Sequence, residues 1–219
     1  MEKLVKIGIS ACLLGERVRY NGEQKFDPCL IESLGGFFTF VPVCPEVGCG
    51  LTTPREPMRL EGDPAHPRLV TVETRIDLTE RMLSYCGEKL AELEREDLCG
   101  FIFKKNSPSS GLHGVKVYVD GLPTGEGSGL FAAQLVRRFP FLPVEEEEGL
   151  ADAASREKFM ERVFSYAGGL TSRPLPATPS TIPTAPLADS CLKGGEKELA
   201  AIKENGCHVP DPDSAAALR

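Results

Sequence analysis

The chain has no apolar run approaching the roughly 20 residues needed to span a bilayer, so no membrane association is expected. It has no basic excess either. Its 25 lysines and arginines face 32 acidic residues, giving a net charge of −7 and a pI near 5.2. Nucleic-acid binding needs a basic face, and this balance argues against it. The N-terminus, Met1 to Lys6, runs into a strand pattern without the apolar stretch of a signal peptide, which predicts a cytoplasmic location. Histidine is scarce: of His66, His113 and His208, only His113 falls near a loop of interest. A cysteine nucleophile would therefore lack an obvious histidine base. No internal repeat is evident, and no aromatic residue follows Tyr166.

Cysteine, by contrast, is present at positions 12, 29, 44, 49, 86, 99, 191 and 207. In a reducing compartment this set argues against a disulfide framework. Cys86 and Cys99 sit in helical or apolar surroundings and read as buried small hydrophobes. Cys12, Cys44 and Cys49 lie among glycines or turn formers just past strands. The densest stretch is Val43-Cys44-Pro45-Glu46-Val47-Gly48-Cys49-Gly50-Leu51, which joins two thiols to a carboxylate. Pro45 stops the preceding strand, and the glycines permit a sharp turn or a close approach. Two cysteines at this spacing cannot close a metal site alone, so partners must come from elsewhere in the chain.

Residues 4–14 read as a buried strand entering a loop at Ser10-Ala11-Cys12, and Phe26 to Leu34 as a short helix ended by Gly35-Gly36. A second strand, 37–43, delivers the thiol-carboxylate stretch. Thr52 to Pro67 reads as a long proline-rich loop whose Arg55 and Arg59 are either ligand contacts or solvated side chains. Arg68 to Glu73 alternates as a strand. Asp77 to Arg95 is the clearest helix, with Leu78, Met82, Tyr85, Cys86, Leu90 and Leu93 as its apolar stripe. Residues 98–103 form a buried strand opening into Lys104-Lys105-Asn106-Ser107-Pro108-Ser109-Ser110-Gly111. Val115 to Val119 and 142–144 are further strands. The run Gly125 to Gly129 either holds an anion or precedes a helix over Leu130 to Arg138, with Ser128 as its cap. Glu145 to Glu148 reads as a solvated charge run. A helix over roughly 151–166 follows.

Strands alternating with helices predict an α/β fold, a mostly parallel sheet in a three-layer Rossmann-like sandwich. Ligands gather at the carboxyl ends of such strands. The loops at Ser10-Ala11-Cys12, Cys44 to Gly50 and Lys104 to Gly111 would then share one rim. Domain boundaries are expected at 1–150 for the α/β domain, 151–169 for a C-terminal helix and 170–219 for a tail. Five prolines, four threonines and three serines between 171 and 190 mark that tail as disordered. Its Cys191, Cys207 and His208 fit no familiar four-ligand zinc spacing.

Ser10-Ala11-Cys12-Leu13-Leu14-Gly15, Cys44-Pro45-Glu46, Gly50-Leu51 with Pro54-Arg55, and Lys105 to Gly111 together resemble the thiouracil desulfidases in motif order and spacing across residues 5–145. Residues 145–166 also resemble the segment where longer relatives pass into a second helical domain. The resemblance implies a [4Fe–4S] cluster held by three cysteines, with an open iron that binds the thiocarbonyl sulfur of a thiolated pyrimidine such as 2-thiouracil. It implies non-redox replacement of C=S by C=O with release of sulfide. Soft iron–sulfide sites favour soft sulfur donors, and an open position makes iron a Lewis acid.

By the same resemblance Cys12 and Cys44 match cluster ligands, Glu46 the acid/base, and Cys49 and Ser107 auxiliary catalytic positions. Ser110 stands where the family motif has its third ligating cysteine. A serine alkoxide is a poorer iron ligand than a thiolate because its pKa is much higher. Cys49 could swing in as a substitute. The expected partner is a small thioamide or thiolated nucleobase.

Simpler readings stand beside these. Cys12 is a packed thiol, Glu46 a turn cap, Ser107 an Asn-Ser-Pro turn former, and Lys104 and Lys105 are solvated. The alternative at the level of the whole protein is a degenerate, non-catalytic relative that binds a small molecule without a stable cluster.

Overall fold

In the computed structural model, residues 5–170 are described. In chain order they form β1 (Val5–Ser10), a 3-10 turn (Ala11–Leu14), α1 (Pro28–Gly35), β2 (Phe38–Val43), α2 (Pro45–Gly48), β3 (Met58–Glu61), β4 (Arg68–Thr71) and α3 (Thr79–Arg95). These are followed by β5 (Phe101–Phe103), β6 (Val115–Val119), β7 (Leu122–Gly127), α4 (Leu130–Arg138), β8 (Val144–Glu146), a second 3-10 turn (Glu147–Leu150) and α5 (Ala153–Leu170). The expected tail lies outside the described residues.

Strands β2, β1, β5 and β8 make a parallel four-stranded sheet in that order. Side chains alternate across it, as the period of two requires. Ile7, Ile9, Phe38 and Ile102 face Leu30 and Leu34 of α1 and Phe159 and Val163 of α5. Val43, Phe101 and Phe103 join the other core, with Met82, Cys86, Leu90 and Leu93 of α3 and Phe131 and Leu135 of α4. The three-layer α/β arrangement expected from the alternating pattern is therefore present. The Phe101 ring fills the space that a Cβ on Gly8 would take, which lets β1 and β5 pair closely beneath it.

The helices follow from their sequences. The Asp27 carboxylate accepts the Leu30 N–H at 3.0 Å, with Pro28 at the first position of α1. Asp77 likewise accepts the Thr79 N–H at 2.9 Å at the start of α3. Burial of Met82, Cys86, Leu90 and Leu93 at four-, four- and three-residue spacing gives α3 one apolar face. Each large apolar side chain buried there contributes about 1.5–3 kcal/mol.

A second sheet was not foreseen. It has the order β4-β3-β6-β7, with β3 and β6 parallel and the outer pairs antiparallel. β3 lies inside the expected proline-rich loop, and β7 runs into the expected glycine loop at Gly125. Leu60, Leu69 and Val117 seal this sheet to the α3 side of the core. β8 begins at Val144, two residues later than the strand read at 142–144, and its end carries Glu146 and Glu147 inside. Glu146 and Glu147 are thus not solvated, while Glu148 is exposed as expected. Glu146 accepts the Leu112 N–H at 2.8 Å, and Glu147 pairs with Lys104 and accepts the Lys105 N–H at 2.7 Å. Among the described residues no helix is long and apolar enough to cross a membrane.

Candidate functional site

β1 lies between β2 and β5, so the sheet order reverses beside it, and the loops after these three strands open on one crevice. The crevice is a cleft of about 520 Å³ lined by Ser10, Ala11 and Cys12 from the first loop, Cys44, Pro45 and Glu46 from the second, and Lys104 to Ser110 from the third. Arg19, Tyr20 and Arg55 contribute to its walls. Five of the six residues singled out from the sequence meet here: Cys12, Cys44, Glu46, Ser107 and Ser110.

Cys49 does not join them in the cleft. It follows α2 directly, packs into the α3 side of the core, and donates its S–H to the Glu46 carbonyl at 3.2 Å. His113 does not line the cleft either.

Burial, and then the neighbouring Cys44, pushes the Cys12 thiol up to about 11; burial also raises Cys44. Both are therefore protonated at neutral pH until something cationic replaces the proton. The Cys44 S–H points at the Val18 carbonyl, 3.9 Å away.

Glu46 sits in the first turn of α2 and is held at both oxygens. Arg55 donates Nε–H to Oε2 at 2.8 Å and also places Nη2 on the same oxygen, while the Ser109 hydroxyl donates to Oε1 at 2.8 Å. Ser107 Oγ lies 3.0 Å from Ser109 Oγ and accepts the backbone N–H groups of Ser109 and Ser110. That is the turn-forming role expected of an Asn-Ser-Pro segment, and it places a second hydroxyl beside the one on Glu46.

Ser109 was not singled out from the sequence, yet it is buried at the centre of this hydroxyl chain, 3.4 Å from Ser110 Oγ. No spacing rule marks it, because the link to Glu46 spans 63 positions.

The serine loop is fixed from behind by α4. The Leu130 N–H donates to the Pro108 carbonyl at 3.2 Å and the Phe131 N–H to the Ser109 carbonyl at 2.9 Å. The first amides of α4 are thus spent on the loop, and the glycine run leading into it is not an anion cradle. Nor does Ser128 cap α4, since its hydroxyl donates to the Leu112 carbonyl at 2.6 Å and Gly129 takes the capping position. Lys105 pairs with Glu148 and Lys104 with Glu147, which ties the two lysines to the end of β8.

A family model described as 2-thiouracil desulfurase matches residues 7–147. The chain belongs to the 2-thiouracil desulfurase family. That span runs from β1 to the start of the second 3-10 turn and contains every residue lining the cleft. The chain is also similar to a solved structure titled [4Fe-4S]-dependent thiouracil desulfidase TudS, with a TM-score of 0.56 and 31% identity over 70% of this chain and 98% of that one. It is 30% identical over 148 residues to the uncharacterized protein YbbK of Bacillus subtilis (strain 168), covering 64% of this chain and 95% of that protein.

Within this desulfurase fold, the donors that could hold a soft metal group are the thiols of Cys12 and Cys44 and the hydroxyl of Ser110. The set fits a group bound by two thiolates and one oxygen, and it does not offer three thiolates. Among the described residues no three His, Cys, Asp or Glu side chains gather at one point, which agrees with Cys49 lying in the core.

Proposed function

We propose that this desulfurase-family protein removes the thiocarbonyl sulfur of a thiolated pyrimidine such as 2-thiouracil, replacing C=S by C=O and releasing sulfide without net redox change. The observation carrying this reading is the convergence of a buried thiol (Cys12), a half-buried thiol (Cys44), a hydroxyl and a clamped carboxylate on one cleft in a chain of this family. Cys12, Cys44 and Ser110 are the residues that would hold a [4Fe–4S] cluster. When bound, such a cluster supplies a Lewis-acidic, sulfur-seeking position that polarises C=S.

The remaining steps belong to this chain's own residues. Val18, Val43, Pro57 and Met58 line the cleft and offer apolar surface to a planar ring. Glu46, fixed at Oε1 by Ser109 and at Oε2 by Arg55, takes a proton from the attacking water and returns one to the leaving sulfur. Ser107 and Ser109 hold that carboxylate in line and keep a hydroxyl beside it for the oxygen that enters. Cys49 supports Glu46 through the backbone from the core side. We assign the activity to residues 1–150, with the helix over 151–169 closing the α1 face of the sheet.

The test is anaerobic reconstitution with iron and sulfide, followed by incubation with 2-thiouracil. Uracil and sulfide in equal amounts support the reading. A colourless protein that leaves 2-thiouracil intact contradicts it, and would turn attention to a binding role for the same cleft.

A further inference from the structure

Arg55 spends all of its side-chain donors inside the protein. A guanidinium has five N–H groups. Nε and one Nη2 hydrogen go to Glu46 Oε2, the other Nη2 hydrogen to the Val18 carbonyl at 2.8 Å, and Nη1 to the Thr52 carbonyl and the Thr53 hydroxyl, each at 3.2 Å. Its backbone N–H donates to the Tyr20 carbonyl at 2.7 Å. The side chain is only 7% exposed. None of its donors is left for a ligand, so Arg55 is not the substrate contact that its place in a proline-rich loop suggested.

Its partners are informative. Val18, Arg19, Tyr20 and Lys25 lie on the excursion over residues 15–27 and form one wall of the cleft, while Glu46 belongs to the opposite rim loop. Other backbone bonds of the excursion, such as Lys25 N–H to the Cys12 carbonyl at 2.9 Å, hold it near its ends. Its middle is held to the rest of the site by Arg55, and the Val18 carbonyl that Arg55 grips is also the one facing the Cys44 thiol.

We propose that Arg55 is a positioning residue that holds the 15–27 wall and the Glu46 carboxylate from one guanidinium, so that losing Arg55 frees both while losing Glu46 leaves the wall in place. This rests on the assignment of Glu46 as the acid/base group in the desulfuration reading. The bidentate fork matters as well as the charge, because a lysine ammonium cannot reach the carboxylate and the Val18 carbonyl in the same plane.

The experiment compares wild type, Arg55→Gln, Arg55→Lys and Glu46→Gln by two readouts. The first is limited trypsin digestion of the protein as purified, following cleavage after Arg17 and Arg19, with cleavage after Lys25, which is held separately by Cys12, as the reference. Loss of one charge-assisted hydrogen bond should raise the rate after Arg17 and Arg19 by about tenfold or more in both Arg55 variants, with sites elsewhere unchanged. In Glu46→Gln the wall stays protected, because the bonds from Arg55 to Val18 and Tyr20 persist. The second readout is steady-state turnover of iron-loaded protein. Both Arg55 variants should lose about a hundredfold in kcat, the scale of an ångström-sized misplacement, at unchanged iron content.

Unchanged cleavage in the wall, or cleavage raised equally in Glu46→Gln, overturns the proposal. So does an Arg55→Lys enzyme with wild-type kcat. If Arg55→Gln is cleaved throughout, Arg55→Lys decides. If the wild type fails to act on 2-thiouracil, the functional reading fails, and the digestion result still decides the pin.

Discussion

Replacing Gly129 by alanine isolates the contact that sets the serine loop. Gly129 has φ −59° and ψ 147°, values open to any L-residue, so the substitution meets no dihedral penalty. The added Cβ would lie 2.5 Å from the Ser109 carbonyl carbon, 2.6 Å from the Ser110 nitrogen and 2.7 Å from the Ser109 oxygen, all backbone atoms. Carbon contacts are normally about 3.5–4.0 Å, so the loop and α4 must part by roughly 1 Å. Overpacking of this kind costs about 1–3 kcal/mol, and a weakened backbone hydrogen bond from Phe131 to Ser109 adds about 1 kcal/mol. The expected loss is ~2–4 kcal/mol, or roughly 4–16 °C in Tm for a chain of this size. Urea denaturation of metal-free protein measures it, with an unchanged m value showing that the unfolded state is the same. Gly87→Ala is the control. It sits exposed in α3 with nothing within 4 Å of the new Cβ, and should gain about 0.5–1 kcal/mol. If Gly129→Ala is within about 0.5 kcal/mol of wild type, α4 does not hold the loop as described.

Three further outcomes are expected. On the proposed reading, in which the Glu46 carboxylate moves protons and holds no iron, Glu46→Gln should lower desulfuration about 10²–10⁴-fold while leaving any brown iron chromophore in place; loss of colour would count against that division of labour. With Cys12 raised from 9.0 to about 11 by burial and by Cys44, the folded chain keeps the proton longer than the unfolded one. The stability this gives is therefore present below pH 9 and lost as pH rises toward 11. Alkylation of Cys12 in metal-free protein, followed by peptide mass spectrometry, should accelerate about tenfold per pH unit over that range, and rapid labelling at pH 7.5 would contradict it. Glu61 is held down to about 2, first by hydrogen bonding to Arg75 and then to Arg59, so its contribution is present above the ordinary value of 4.5 and fades as pH falls toward 2. The Tm difference between wild type and Glu61→Gln should be largest near neutrality and vanish near pH 2; a constant difference across that range would show that the ion pair is not its source.

The parallel sheet was legible because β1 and β5 are largely buried apolar runs and β2 an apolar run, all bounded by turn formers, and α3 because its apolar residues recur on one face. The convergence of the rim loops follows from that sheet alone. The second sheet was not legible. β3 has four residues with charged Arg59 and Glu61 among them, and β7, Leu122–Gly127, has no alternation of apolar and polar residues. Both are strands because neighbours pair with them. Glu146 and Glu147 looked solvated for the same reason that Arg55 looked like a ligand contact: composition reports a charge but not its distant partner. The Ser109 link to Glu46 and the grip of Arg55 on Val18 are such long-range contacts. Cys49 shows the converse, since three positions along a short helix turn it from the rim into the core.

The central claim is that two thiols and the Ser110 hydroxyl suffice to hold the iron–sulfur group on which desulfuration depends. Iron and acid-labile sulfide measured in anaerobically purified wild-type protein, beside Ser110→Cys, test it most directly. The account predicts iron and labile sulfide in equal amounts in the wild type, with a broad brown absorption, and a tighter, more air-stable complement in Ser110→Cys. Wild-type protein without iron or labile sulfide after anaerobic reconstitution, while Ser110→Cys binds both, would contradict it.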